Sequence, residues 1–212
     1  MFNNIFSPDI LYWIPAIVIS LTVHEFCHAY AAFLIGDPTA RNLGRLSLNP
    51  LKHLDPVGFI CLLLFHFGWA KPVPVNPYNF RAVDYKTGML LTALAGPMSN
   101  ILLCFISVGL LCLTPSGIYR SAPWVLGLYN YLMMINASLA FFNLIPVPPL
   151  DGSKILSGIL PDRMSYAIQM MEQYGYIFLA ILLFSSLPSM IITPLTRGLI
   201  TAFLNFFQLF IK

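Results

Sequence analysis

Residues 10–35 form an apolar stretch of helical length whose one formally charged residue is Glu25. Backbone buried in hydrocarbon must satisfy its own hydrogen bonds, and within a single segment only a helix does so. Comparable runs follow at about 87–113, 124–144, 174–192 and 195–211, each near the roughly 20 residues that cross a bilayer. Of the 212 residues, 58% are hydrophobic and 9% charged, whereas soluble domains are about a quarter charged. A water-facing surface cannot be built from this composition. The expected fold is therefore an all-α polytopic membrane protein with five to six transmembrane helices. It forms one transmembrane domain over 1–212, with a core at 10–160 and accessory helices at 172–211.

Residues 39–86, between the first two full spans, read differently. They hold Arg41, Arg45, Lys52, Lys71, Arg81 and Lys86 around one short apolar stretch, 57–67. That stretch is too short to cross comfortably and suits a re-entrant element, although a full sixth crossing stays open. After it, Pro72, Pro74 and Pro77 alternate with other residues, which excludes helix and favours extended backbone. Six of the eleven basic residues fall in this segment, so the positive-inside rule places it in the cytoplasm. Basic residues alternate correctly between the later loops only if 57–67 enters and leaves on one side. Met1–Asp9 lacks the basic start of a signal peptide, so the first run is expected to stay as a helix. The net charge of +3 is spread singly along the chain, which gives no footprint for nucleic acid. Cys27, Cys61, Cys104 and Cys112 lie unpaired within apolar runs and read as small buried hydrophobes.

Inside the first run stands His24-Glu25-Phe26-Cys27-His28. Helical positions four apart share a face, so both imidazoles can reach one metal ion. Glu25, beside the first histidine, can reach water at such a metal without ligating it, and can move a proton from that water to a leaving amine. Polar and ionisable groups in the middle of a membrane helix are costly, and those that persist face the interior and serve function. A structural polar cluster is the bland alternative. A zinc hydrolase needs a third protein ligand and an open position. Asp151, after Pro146, Pro148 and Pro149 and before Gly152, is the best candidate. It could instead cap a helix beginning at Gly152.

His24-Glu25-x-x-His28 in one span, with Asn143-x-x-Pro146-x-x-x-x-Asp151-Gly152 after a later one, resembles the site-2 protease family of intramembrane metalloproteases. Gly96-Pro97-Met98-Ser99-Asn100 is similar to that family's Gly-Pro-x-x-Asn element. The resemblance covers about 11–160. It implies one zinc ion held by His24, His28 and Asp151, Glu25 as catalytic base, and cleavage of membrane-spanning substrates in their cytoplasmic half. It also implies that Asn143 holds the substrate carbonyl or oxyanion; an interhelical hydrogen bond is the alternative. The chain is expected to do without the soluble domain of larger members, so regulation would fall to a prior cleavage or a membrane partner. The home expected for such a chain is a bacterial cytoplasmic membrane.

Gly96 and Asn100 are read as close-packing residues, His53 as a solvated loop histidine, His66 as interfacial, and Cys27 as packing. The extended 71–76 segment offers an edge for an unwound substrate strand. Two other classes remain open. A metal transporter needs ligands spread along a path across the bilayer, and a non-catalytic scaffold needs no complete ligand set.

Overall fold

The computed structural model describes residues 10–65 and 68–210. His66 and Met1–Asp9 lie outside the described residues, so the expectations for them have no counterpart here. The first long helix, α1 (Ile10–Leu34), stops at Gly36, whose φ of 111° suits a residue without Cβ. Its last turn closes through the Asp37 N–H on the Ala32 carbonyl, 2.9 Å. The short α2 (Thr39–Asn42) follows.

A 3₁₀ turn at Pro50–Lys52 leads to α3 (Pro56–Phe65). At 10 residues this helix rises about 15 Å, roughly half the hydrocarbon thickness. The chain then comes back to where α3 began. A Cβ on Gly68 would strike the Gly58 carbonyl, and Ala70 pairs antiparallel with Leu54. Entry and exit are thus at the same end of α3. Residues 71–76 are extended. The Lys71 N–H reaches the His53 carbonyl at 2.7 Å, and the Asn76 N–H reaches Asp37 Oδ2 at 2.7 Å. A second 3₁₀ turn, Pro77–Asn79, precedes α4.

The centre of the bundle is α4 (Tyr85–Leu113), which packs along α1 and α6 (Pro123–Asn143) and also touches α7 (Asp151–Ile159) and α10 (Leu187–Gln208). Small residues permit this. Gly96, Ser99, Asn100, Cys104 and Ser107 are buried along α4. Close approach through small side chains is how helices associate in lipid, where apolar burial gives no drive. A hydrophobic cluster of Cys104, Val108 and Ala137 is closed by Phe203 and Phe207 of α10. The remaining helices are α5 (Ser116–Ser121), α8 (Asp162–Glu172) and α9 (Gly175–Phe184).

Among the described residues four helices are long and apolar enough to cross a membrane: Ile10–Leu34, Tyr85–Leu113, Pro123–Asn143 and Pro188–Gln208. The fold is helical and membrane-type, as expected. The division of the last apolar stretches differs, because the break falls at Ser185 and Ser186 and not near residue 193. Pro188 sits in the first turn of α10, where its missing N–H costs nothing, while Pro194 is carried inside that helix. α9 is left with 10 residues.

Candidate metal centre

α1 and α4 run antiparallel, which sets His28 beside Thr92 and His24 beside Asn100. The His28 Nδ1 lies 2.7 Å from the Thr92 carbonyl oxygen, and the His24 Nδ1 lies 2.6 Å from Asn100 Oδ1. A carbonyl only accepts, so the His28 proton sits on Nδ1 and its Nε2 carries a lone pair. A Cβ on Gly96 would stand 2.5 Å from His28 Cε1 and 2.6 Å from His24 Cε1. Glycine at this point of α4 is what lets both rings, set edge to face at 86°, come so close to the helix. Gly96 and Asn100 are therefore more than packing residues: one makes room for the imidazoles and the other holds one of them.

Asp151 arrives from the far side. Pro146, Pro148 and Pro149 end α6, and the chain doubles back so tightly that a Cβ on Gly152 would meet the Leu144 and Ile145 carbonyls. α7 then begins at Asp151, with Leu150 as its cap residue and no side-chain cap bond. The helix-capping alternative for Asp151 is thus not what the fold uses. Its Oδ2 lies 3.2 Å from His24 Nε2 and 3.1 Å from His28 Nε2, and the two Nε2 atoms are 2.9 Å apart. All three residues are buried, and Asp151 Oδ2 takes no hydrogen bond.

Three lone-pair atoms so close to one another repel unless a cation lies among them. A proton relieves one pair, whereas a divalent ion relieves all three. Tetrahedral zinc with ligands at about 2.0–2.1 Å would hold its donors about 3.3 Å apart. The observed spacings are within a few tenths of an ångström of that. The donor set of two imidazoles and a carboxylate, each backed by a protein group or a helix start, fits zinc by type as well as by spacing.

The centre opens onto a cavity of about 690 Å³. Glu25, Asn143 and Lys154 line it beside the three donors, and Trp69, Val73 and Val75 of the extended segment form another part of its wall. Asn143 donates its Nδ2 to the Leu139 carbonyl of its own helix, 3.0 Å. Arg45 is buried and clamps the extended segment, giving Nη2 to the Lys71 carbonyl at 2.5 Å and Nη1 to the Pro72 carbonyl at 3.2 Å. Burial pushes the Arg45 guanidinium below its ordinary pKa, and the nearby Glu25 carboxylate opposes that shift. His53 is 1% exposed, which corrects its reading as a solvated loop residue. The Pro50–Lys52 turn points it inward, its Nε2 meets the Ser47 carbonyl at 2.6 Å, and the Lys71 strand covers it. Cys27 is half-buried and lies outside the cavity wall.

A family model described as "Peptidase family M50" matches residues 116–185. The chain is 38% identical over 191 residues to "Putative zinc metalloprotease YwhC" of Bacillus subtilis (strain 168), spanning 88% of this chain and 86% of that protein. It is 26% identical over 174 residues to "Putative zinc metalloprotease Rip2" of Mycolicibacterium smegmatis, spanning 78% of this chain and 64% of that protein. It is 34% identical over 100 residues to "Putative zinc metalloprotease MJ0611" of Methanocaldococcus jannaschii, spanning 47% of this chain and 49% of that protein. No solved structure matches.

Proposed function

Since the chain belongs to peptidase family M50, we propose that it is a zinc metalloprotease that cuts membrane-spanning substrates in the cytoplasmic half of the bilayer. The convergence of His24 Nε2, His28 Nε2 and Asp151 Oδ2, with Glu25 next to His24 on the same cavity, is the observation that carries this reading. One ion per chain would be held by those three residues. When bound, zinc supplies Lewis acidity, making water a nucleophile at neutral pH and polarising the scissile carbonyl.

The chain's own residues do the rest. Glu25 accepts the proton of the attacking water and returns it to the departing amine. Asn143, whose Nδ2 is engaged at the Leu139 carbonyl, stands on the cavity wall where it can orient the substrate carbonyl. A peptide bond within a helix is shielded by its own hydrogen bonds, so the substrate must be unwound before attack. Val73 and Val75 offer main-chain N–H and C=O groups that take no partner among the described residues, and the unwound strand can pair there. Water reaches the site through the cavity, along whose mostly apolar wall Glu25, Asn143 and Lys154 stand, since lipid cannot supply it.

The test uses the purified wild type and Glu25→Gln. Zinc per chain and cleavage of a membrane-spanning reporter are measured for both. We expect about one zinc in each protein and cleavage by the wild type alone. Equal cleavage by E25Q would remove the base from the mechanism. Zinc flux into vesicles without cleavage would replace the protease reading with transport.

A further inference from the structure

Asn136 belongs to no motif that points to the centre, yet it is fully buried in α6 and joined to it. We infer that Asn136 is a positioning residue: acting through Asn100, it fixes the tautomer and ring orientation in which His24 presents Nε2 to a cation. The inference rests on the metalloprotease reading for the identity of that cation.

The argument runs outward from a main-chain carbonyl. The Leu132 carbonyl can only accept, so the Asn136 atom 2.8 Å from it is Nδ2. Asn136 Oδ1 is then the atom turned toward Asn100. It accepts from Asn100 Nδ2 at 2.8 Å, and the same Nδ2 reaches the Ser20 carbonyl at 3.3 Å. With Nδ2 committed twice, Asn100 has only Oδ1 for His24 Nδ1, 2.6 Å away. His24 Nδ1 therefore carries the proton and Nε2 the lone pair. Each orientation follows from the one before it, and the series begins at a group that cannot reverse.

Without Asn136, little holds the Asn100 amide the right way round. The long contact to Ser20 is its one remaining anchor. Turning the amide over would offer Nδ2 to His24 Nδ1, favouring the tautomer with its proton on Nε2, where a metal must bind. In a leucine variant water has no room to stand in for the lost acceptor, because a side chain of similar size fills the fully buried place of Asn136 beside Asn100. Groups that orient metal-binding histidines in this way change metal affinity by about 10–100-fold when removed. One face of α6 thus serves the centre twice: Asn136 steadies His24, and two turns later the helix breaks to deliver Asp151.

The test takes the full chain in detergent, with zinc affinity measured against a competing chelator and the cobalt(II) ligand-field spectrum recorded. In Asn136→Leu we expect wild-type helicity, a zinc Kd raised about 10–100-fold and a shifted cobalt spectrum. Asn136→Asp should recover most of the affinity, because a buried protonated carboxyl offers both an acceptor to Asn100 and a donor to Leu132. Ser107→Ala should bind metal as the wild type does, since that buried hydroxyl bonds only within α4, at the Leu103 carbonyl. Should N136L not fold, Asn136→Val, which also offers no acceptor, serves in its place. Wild-type affinity and spectrum in the leucine or valine variant would overturn the inference, as would an aspartate variant no better than leucine. Both of those results leave the protease reading standing. A wild type that takes up neither metal removes both.

Discussion

Replacing Gly96 with alanine would place a methyl group 2.5 Å from His28 Cε1 and 2.6 Å from His24 Cε1, where contacts closer than 3.4 Å are already tight. His28 Nε2, the metal-facing atom, stands nearer still, so the neighbours on α1 must retreat by about 1 Å to reach ordinary contact. Neither ring can turn away, because His24 is held at Asn100 and His28 at the Thr92 carbonyl. A retreat of that size would stretch the 2.6 Å His24 bond past about 3.5 Å, the edge of hydrogen bonding. Metal sites hold their ligand distances to about 0.2 Å, several times less than the displacement. We expect G96A to cost about 1–3 kcal/mol of stability, as overpacking does. We also expect a loss of zinc affinity at or beyond the upper end of the 10–100-fold range seen when supporting groups are removed. Zinc per chain after dialysis, chelator competition and reporter cleavage read these effects. Gly117→Ala is the control: it has no atom within 4 Å of the new methyl and should leave all three unchanged. Wild-type zinc binding and cleavage by G96A would refute the claim that this glycine makes room for the imidazoles.

Two further outcomes test the surroundings. Asp37 is buried and receives bonds from the Thr39 hydroxyl (2.5 Å), the Asn76 N–H (2.7 Å) and Asn79 Nδ2 (2.8 Å), so it ties the extended segment to the end of α1. Burial pushes its carboxyl upward, but these bonds win and hold it below the ordinary range. Its contribution is therefore present above an unfolded pKa of about 3.9 and lost as pH falls through the lower folded value. Protection from hydrogen exchange in residues 71–80, taken relative to the intrinsic rate at each pH, should fall under acid in the wild type, and at neutral pH in Asp37→Ala, whose lost bonds cost roughly 2 kcal/mol locally. Unchanged exchange in D37A would show that the segment is held by something else. Removing zinc with a chelator should lower the melting temperature, and free zinc at about 100 times Kd should restore roughly 2.7 kcal/mol; a melt indifferent to zinc would mean that no ion binds the folded state.

Much of this architecture is legible in the sequence because hydrocarbon leaves few choices. Long apolar runs must be helices, a carboxylate and two histidines within one of them must face inward, and prolines must stop α6 where they stand. The return of the chain at α3 was readable too, from a run half the length of a span and from the side on which the basic residues gather. What resisted was the division of the final apolar stretches. Pro188 and Pro194 look alike in sequence, yet one opens α10 and the other lies within it. Hydropathy is equally blind to Ser185 and Ser186, two small residues that end one helix and begin another.

The polar support of the centre was harder to see, for a physical reason. Asn100 reads as one amide in an apolar helix, and so does Asn136, 36 residues away. Each alone suggests a helix contact of modest worth. Their meaning depends on the rotation of α4 and α6 about their axes, which is set by small residues packing on neighbours and leaves no local pattern. His53 was misread for a related reason. Its neighbours Pro50, Lys52 and Asp55 look like a solvated loop, and only the pairing of Lys71 with its carbonyl turns that loop into the floor beneath the extended segment. The two histidines proposed to bind the ion follow a helical spacing within α1, and so stand out in the sequence. Residues that hold those ligands in place need only meet them in space, and it is there that substitution will reveal how the site keeps its shape.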